Sequence, residues 1–365
     1  MRLDFFPSRT LTLYLARLFF SRLAAVLVLL VLVLQTLDLL GESGKILANP
    51  ANGQAQLWTY VTLRSPQIIS FFMPYSALLA TIVTLATLNQ NSEVISMKAA
   101  GMSAHQVLAP LLLAALLVAM AAFAFNERVV TRASATLKAW SSVNYGPVPR
   151  DSGVRANVYL SDGADILNAA QVSGEGSNIE MVNVTLFRRD ADGMVTETIR
   201  GASATYVAPG WRIANAVRVT ARDTRAVTLR EVVVAPGLSP AEVMVGSVNA
   251  EGQSLFQLSR SIAALKAEGR RTNALEAEWW HKFSGPLSAV LMPLLGAVAA
   301  FGLARSGALL LRSVVGMALG FAYFVCDNAA MAMGDFGAYG PLVAAWAPFA
   351  LFALIGEAVL IRTEE

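Results

Sequence analysis

SPQIISFFMPYSALLATIVTLATLNQNS, residues Ser65–Ser92, contains no charged side chain. At a rise of about 1.5 Å per residue, a helix over this stretch is longer than the roughly 30 Å hydrocarbon core of a bilayer. The same property recurs on both sides. Charge-free runs cover Ala24–Leu37, Val107–Asn126, Phe283–Ala304 and Phe336–Gly356, and Ser313–Gly334 is interrupted only by Asp327. The first of these is short, and a helix starting in Leu11–Leu23 completes its crossing. Six transmembrane helices are therefore expected, three before and three after one long polar stretch.

Composition points the same way. The 365 residues are 55% hydrophobic with a mean hydropathy of +0.54, more apolar and less charged than soluble domains are. A net charge of +3 without a block of consecutive Lys or Arg excludes the basic stripe that nucleic acids require. The single cysteine, Cys326, lies in an apolar run, so it forms no intrachain disulfide and is expected to be a buried small hydrophobe. Leu23–Leu34 resembles the apolar part of a signal peptide, but the basic region before it is too long and the small residues near Ala48 lie too far beyond it. It is read as a span.

Cytoplasmic short loops retain Lys and Arg. Arg2, Arg9, Arg17 and Arg22 precede span one, Lys98 lies between spans two and three, Arg305 and Arg312 lie between four and five, and Arg362 follows six. The opposite short loops hold only Lys45 and Arg64. Both termini are thus expected in the cytoplasm, with Glu127–Lys282 facing outward.

Within that outward segment, Val182, Val184 and Leu186 alternate with Asn183, Thr185 and Phe187, the period of a strand. Strands are expected over Val158–Leu160, Ile179–Arg188, Met194–Ile199, Ala202–Val207, Trp211–Thr220 and Ala226–Val234. Asp162-Gly163, Asp192-Gly193 and Pro209-Gly210 punctuate them. Such density without intervening helices means an antiparallel sandwich, roll or barrel, serving as an ordinary folded insert or as a hydrophobic slot between sheets. A short helix is expected over Ser259–Glu268, followed by a capping box at Asn273-Ala-Leu-Glu276. Trp279, Trp280 and Lys282 read as an interfacial belt, and Lys282 is also a candidate for an anionic ligand.

Between spans two and three, Asn89–Ser103 reads as a short helix. Ser92 or Asn91 is placed to cap it, Glu93 sits at the positive end of its dipole, and Gly101 suits a left-handed stop. Val94, Met97 and Gly101 share one face, with Ile95 and Lys98 beside it. The segment is either a simple surface helix or the place where the membrane part receives force from a soluble partner.

The residues Ser65-Pro66, Pro74, Leu78, Leu85, Leu88, Ser92-Glu93, Met97, Ala99-Ala100 and Gly101 resemble the second span and coupling helix of the LptF/LptG family of lipopolysaccharide-export permeases. Trp280, Lys282 and Pro286 resemble that family's fourth span, and Tyr323, Val325, Asp327 and Gly340-Pro341 resemble the fifth span and following loop of its LptG branch. The resemblance covers essentially the whole chain.

It implies an inner-membrane ABC-transporter permease subunit, not an enzyme, that extracts lipopolysaccharide and passes it toward the outer membrane. The implied partners are a homologous LptF, an LptB ATPase dimer that holds the ATP, and an LptC and LptA bridge that continues a periplasmic β-jellyroll. Domain limits follow: residues 1–140 for spans one to three with a coupling helix near 91–102, 141–255 for the β domain, and 256–365 for a connecting helix and spans four to six. Ser92, Glu93, Val94, Met97 and Gly101 are then the ATPase-coupling candidates.

Asp327 is a charge in an apolar span and should face inward, as a cavity or gate residue or in a packing hydrogen bond with Asn328 nearby. Gln35 and Asp38 at the outer end of span one face the same choice, and Arg64 stands near that end. The family is basic in this part of span one, whereas this chain has Gln35, Gly41 and Glu42. Lys45, Arg128, Arg132, Lys138 and Lys282 are the candidate headgroup contacts in their place.

Gly41–Ile46 lacks the spacing and the Ser/Thr of a phosphate loop. His105 and His281 show no metal-ligand pattern. A membrane-embedded enzyme or a signal-relaying scaffold without lipid passage are the rival functions. The enzyme would need a partner for Asp327 that no local spacing displays.

Overall fold

The computed structural model describes residues 7–146, 148, 155–174, 179–190, 193–221, 223–240, 243, 252–267, 271–301 and 309–362. Arg2, Arg305, Asp192 and Glu268, named above in expected loops and ends, lie outside the described residues.

Long apolar runs form long helices because a backbone with no water beside it must satisfy its polar groups within one segment. These are α1 (Arg9–Leu47), α2 (Gln54–Gln90) and α4 (Ala104–Phe125), with the short α3 (Glu93–Ala99) between the last two. A π-helical segment, Asn126–Val130, joins α4 to α5 (Thr131–Ser142) without a break. Six strands follow, then α6 (Leu255–Ala267), α7 (Asn273–Phe301), α8 (Leu309–Asp335) and α9 (Pro341–Arg362). Among the described residues, five stretches are long and apolar enough to cross a membrane: α1, α2, the α4–α5 continuum, α8 and α9. The apolar run of α7 continues into residues beyond those described.

The chain divides into two compact units. One comprises Met1–Thr36, Ser65–Arg128 and Arg271–Glu365, and the other Leu37–Arg64 and Val129–Arg270. The core of the first contains Leu15, Phe19, Leu85, Leu108, Leu111, Leu295, Tyr323 and Phe352. Glycine lets helices approach closely there: a Cβ on Gly320 would stand 2.3 Å from Leu78 Cδ2, and one on Gly356 2.7 Å from Leu294 Cγ. Polar side chains inside are turned onto their own helices, with Thr81 and Thr84 hydroxyls donating to the Ala77 and Ala80 carbonyls at 2.8 and 2.6 Å. Cys326, expected inside, is exposed. It adjoins Asp327, and successive helical residues point about 100° apart, so an inward Asp327 turns Cys326 outward.

In the second unit, β1 (Arg155–Asp162), β2 (Asp165–Ser173), β3 (Glu180–Arg189), β4 (Val195–Val207), β5 (Gly210–Thr220) and β6 (Asp223–Val234) form an antiparallel meander in chain order. Two expected strands, Met194–Ile199 and Ala202–Val207, are one continuous β4. Gly201, which resembles a break in the sequence, is there because its Cβ would fall 2.1 Å from Ile213 Cγ2 on β5. β2 was not anticipated, since Asn168, Ala169, Ala170 and Gln171 have low strand preference.

The expected alternation in β3 holds only past Asn183. That residue has φ of 51°, which turns the strand without changing its register, so Met181, rather than Val182, joins Val184 and Leu186 in the core. Asn215 (φ 50°) does the same in β5, between buried Ile213 and Ala216. Asparagine tolerates the left-handed conformation, which suits it to such a turn within a strand. Trp211 is fully buried at the centre of this core, and its indole N–H donates to the Leu238 carbonyl at 2.9 Å.

Gly201→Val forces the β4–β5 contact apart. The expected loss is about 1–3 kcal/mol of sheet stability, read as a lowered thermal transition and faster proteolysis within residues 195–220 of the purified full chain.

Candidate functional sites

Within the second unit, the end of α1, the start of α2 and the end of α5 line an open cavity of about 980 Å³. Asp38 on α1 receives Arg64 of α2 through two bonds, Nε at 3.1 Å and Nη2 at 3.0 Å, and the Tyr60 hydroxyl at 2.6 Å. Asp38 and Arg64 thus satisfy one another in a bidentate, charge-assisted pair. One turn along α1, Glu42 accepts from Lys45 at 2.7 Å and from the Tyr145 hydroxyl at 2.8 Å.

The chain leaves α5 through Asn144 and Tyr145, both at positive φ (51° and 55°), which swings the Tyr145 ring onto Trp140 and Tyr60. Non-glycine residues adopt this conformation only when their surroundings demand it. Asn52 Nδ2 donates to the Tyr145 carbonyl at 2.7 Å and Trp140 Nε1 to that of Gly146 at 2.7 Å, which fixes the turn. Burial, then the bond to Glu42, pushes the Tyr145 phenol above its usual range, so it remains a donor at physiological pH.

In the first unit, Asp327 of α8 is 8% exposed and meets His281 of α7, with Nε2 3.0 Å from Oδ2. The packing bond expected with Asn328 does not form. Asn328 is exposed and its amide donates to the Phe324 carbonyl of its own helix at 2.9 Å. Asp327 Oδ1 and the Ser284 hydroxyl are buried with no hydrogen-bond partner among the described residues. His281 and Asp327 therefore have no nucleophile joined to them: Ser288, two turns from His281, donates to the Gly285 carbonyl instead. Proton-relay chemistry of the acyl-transfer kind requires that joint. His105, also on an apolar helix, pairs with Glu357 at 2.8 Å.

Gln35 is 7% exposed and its carbonyl accepts from the Ser65 hydroxyl at 3.1 Å. Lys282 is almost wholly buried, 3.9 Å from Glu127 in the π-helical segment. π-Helical turns concentrate where a helix must present a particular side chain, and here the segment presents Glu127 to Lys282. Arg128, Arg132 and Lys138 are exposed. Of the cations read as headgroup contacts, Arg128, Arg132, Lys138 and Lys45 reach the surface, while Lys282 faces inward.

α3 departs from its expected cap. Ser92 is itself left-handed (φ 59°) and its side chain makes no capping bond, because a cap needs extended backbone to aim its hydroxyl at the helix. Gly101 does take the left-handed stop (φ 85°). Val94 and Met97 are buried in the core of their own unit, which leaves Ile95, Ser96 and Lys98 as the exposed face. Thr272, rather than Asn273, immediately precedes α7, and its hydroxyl donates to Glu276.

The description "Lipopolysaccharide export system permease LptF/LptG" belongs to the family whose model matches residues 13–362, nearly the full chain. The chain belongs to the LptF/LptG family. It is similar to the lipopolysaccharide export system permease protein LptG of Escherichia coli K12, 23% identical over 310 residues that cover 83% of this chain and 84% of the relative. It is also similar to LptG of Haemophilus influenzae, 22% identical over 279 residues, 75% of this chain and 76% of the relative. A lipopolysaccharide-export permease is a multi-pass membrane protein and not itself an enzyme, and the apolar helices fit a membrane protein.

Sequence reasoning missed three partners in this LptF/LptG chain: His281 for Asp327, Tyr60 for Asp38 and Tyr145 for Glu42. His281 carried a usable signal, being a titratable residue two positions from a charge-free run. Tyr145, over 100 residues from Glu42, carried none.

His281→Ala strands a buried carboxylate and should cost roughly 3–5 kcal/mol. Asp327→Asn in the same chain should restore much of that loss, seen as partial recovery of the thermal transition. Tyr60→Phe, which removes one donor from a carboxylate that keeps its arginine, should cost only about 1–2 kcal/mol in the same measurement.

Proposed function

We propose that this permease takes lipopolysaccharide from the outer leaflet of the inner membrane and delivers it to a periplasmic bridge. Energy comes from ATP held and hydrolysed by a separate LptB dimer. A homologous LptF stands opposite, and LptC and LptA extend the path. In this reading the chain has six spans and cytoplasmic termini, and the meander forms part of a periplasmic β-jellyroll. The observation that carries it is the family match through residues 13–362, which takes in both compact units rather than the helices alone.

α3 is the coupling element. Glu93 and Gly101 set its start and stop, Val94 and Met97 key it into the core, and Ile95, Ser96 and Lys98 meet the ATPase. Burial of Val94 and Met97 supports the reading, because a helix that must transmit force has to be gripped by its own unit. Gln35, Asp38 and Arg64 line the outer end of the lipid path, and His281–Asp327 acts at the gate with Asn328 beside it. Exposed Arg128, Arg132, Lys138 and Lys45 offer cations to phosphorylated headgroups.

Gentle purification of the chain should bring with it a second permease and a soluble ATPase, and a homodimer alone would count against the reading. Glu93→Ala should lower lipopolysaccharide release from proteoliposomes by about tenfold or more, the scale of one lost charge-assisted contact, and unchanged release would remove α3 from the coupling role. Arg128→Glu with Arg132→Glu should weaken lipopolysaccharide retention by the purified complex, and by less at high salt, because screening already weakens exposed charges there.

A further inference from the structure

α1 is attached to α3 at one polar point. Tyr14 directs its hydroxyl at Glu93, 3.0 and 3.2 Å from the two carboxylate oxygens, and Asn91 Nδ2 supplies a second donor at 3.3 Å. The neighbouring α1 residues Leu15 and Phe19 belong to the apolar cluster that holds Val94 and Met97. The Glu93 carboxylate is thus held by Tyr14 of α1 and by Asn91 of the turn before α3, while Ser92 makes no capping bond.

Further along, α1 is weakly held. Val28, Leu29, Leu32 and Val33 are each at least half exposed, and only 11% of the helix's most apolar window is buried. The polar ties of α1 on either side of this stretch are Arg22 Nη1 to the Val83 carbonyl of α2, at 3.3 Å, and Gln35 and Asp38 to Ser65 and Arg64 of α2, at 3.1 and 3.0 Å. A helix held at its ends and bare between them passes a displacement of its inner end into that middle. The inner grip is the Tyr14–Glu93 bond plus the Leu15–Phe19 face, which shares its apolar cluster with Val94 and Met97.

We propose that Tyr14 is a positioning residue that binds the Glu93 carboxylate so that α1 moves with α3. The inference rests on the reading of α3 as the coupling element. The apolar contacts keep the two helices together but allow them to slide, since dispersion is non-directional. The hydroxyl–carboxylate bond fixes their register. Displacement of α3 by the ATPase then reaches the sparsely packed middle of α1, where the unit has room to move.

The test is Tyr14→Phe in the complete transporter, which keeps the ring and removes only the donor. Lipopolysaccharide released per ATP hydrolysed should fall about three- to tenfold, the range of one net intramolecular hydrogen bond at an exposed site. ATPase association and the thermal transition should be unchanged, a pattern that a merely structural role would not produce. Glu93→Gln combined with Tyr14→Phe should release no less than the weaker single variant, because both remove one interaction. Normal release per ATP in Tyr14→Phe, beside an impaired Glu93→Ala, would overturn the proposal and leave the coupling role of α3 intact. Normal release in both variants would overturn the coupling role and the proposal with it. A fall in the thermal transition of Tyr14→Phe that accounts for the whole loss would also overturn it.

Discussion

A polar group inside hydrocarbon must find its partner within the protein, and the rest of this structure follows from that constraint. Backbone groups satisfy it by forming helices through every long apolar run. Thr81 and Thr84 satisfy it by donating to the preceding turn of their own helix. Asp327 has no such local option, since a carboxylate is only an acceptor. It requires a donor from another helix, and His281 of α7 supplies one. The charge therefore fixes the rotation of α8: with Asp327 inward, Cys326 and Asn328 on either side are exposed.

The second unit meets the same demand with charges and phenols. Asp38 and Arg64 neutralise each other, and Tyr60 completes the carboxylate's coordination. Glu42 is shared between Lys45 and Tyr145. Asp38 and Glu42 on α1 are each matched to nearby donors. The cavity they line has balanced charge: of its four ionic residues, two are acidic and two basic.

The sheet illustrates how a local rule is overridden. Period-two alternation correctly marked strands in β3 and β5, but Asn183 and Asn215 each take positive φ and exchange the faces beyond it while the ladder stays in register. Gly201 resembles a strand end and is instead a mid-strand concession to Ile213. The missing feature in each case is the neighbouring strand, which no window along the chain contains.

What the sequence determined by itself is therefore the inventory of elements: the charge-free runs, the short helix from Glu93 with its stop at Gly101, and the turn-rich insert. These depend on interactions within a few residues, which is why they can be read from spacing. What only the tertiary structure decided is which side chains meet. A helix that is apolar all round has no polar stripe to reveal its rotation, so His281 against Asp327 and Tyr14 against Glu93 were not legible. Tyr145 reaches Glu42 through two left-handed residues after α5, a backbone choice made by the packing of Trp140 and Tyr60. Local hydrophobicity sets where helices are, whereas pairing of buried charged groups such as Asp327 sets how they face one another.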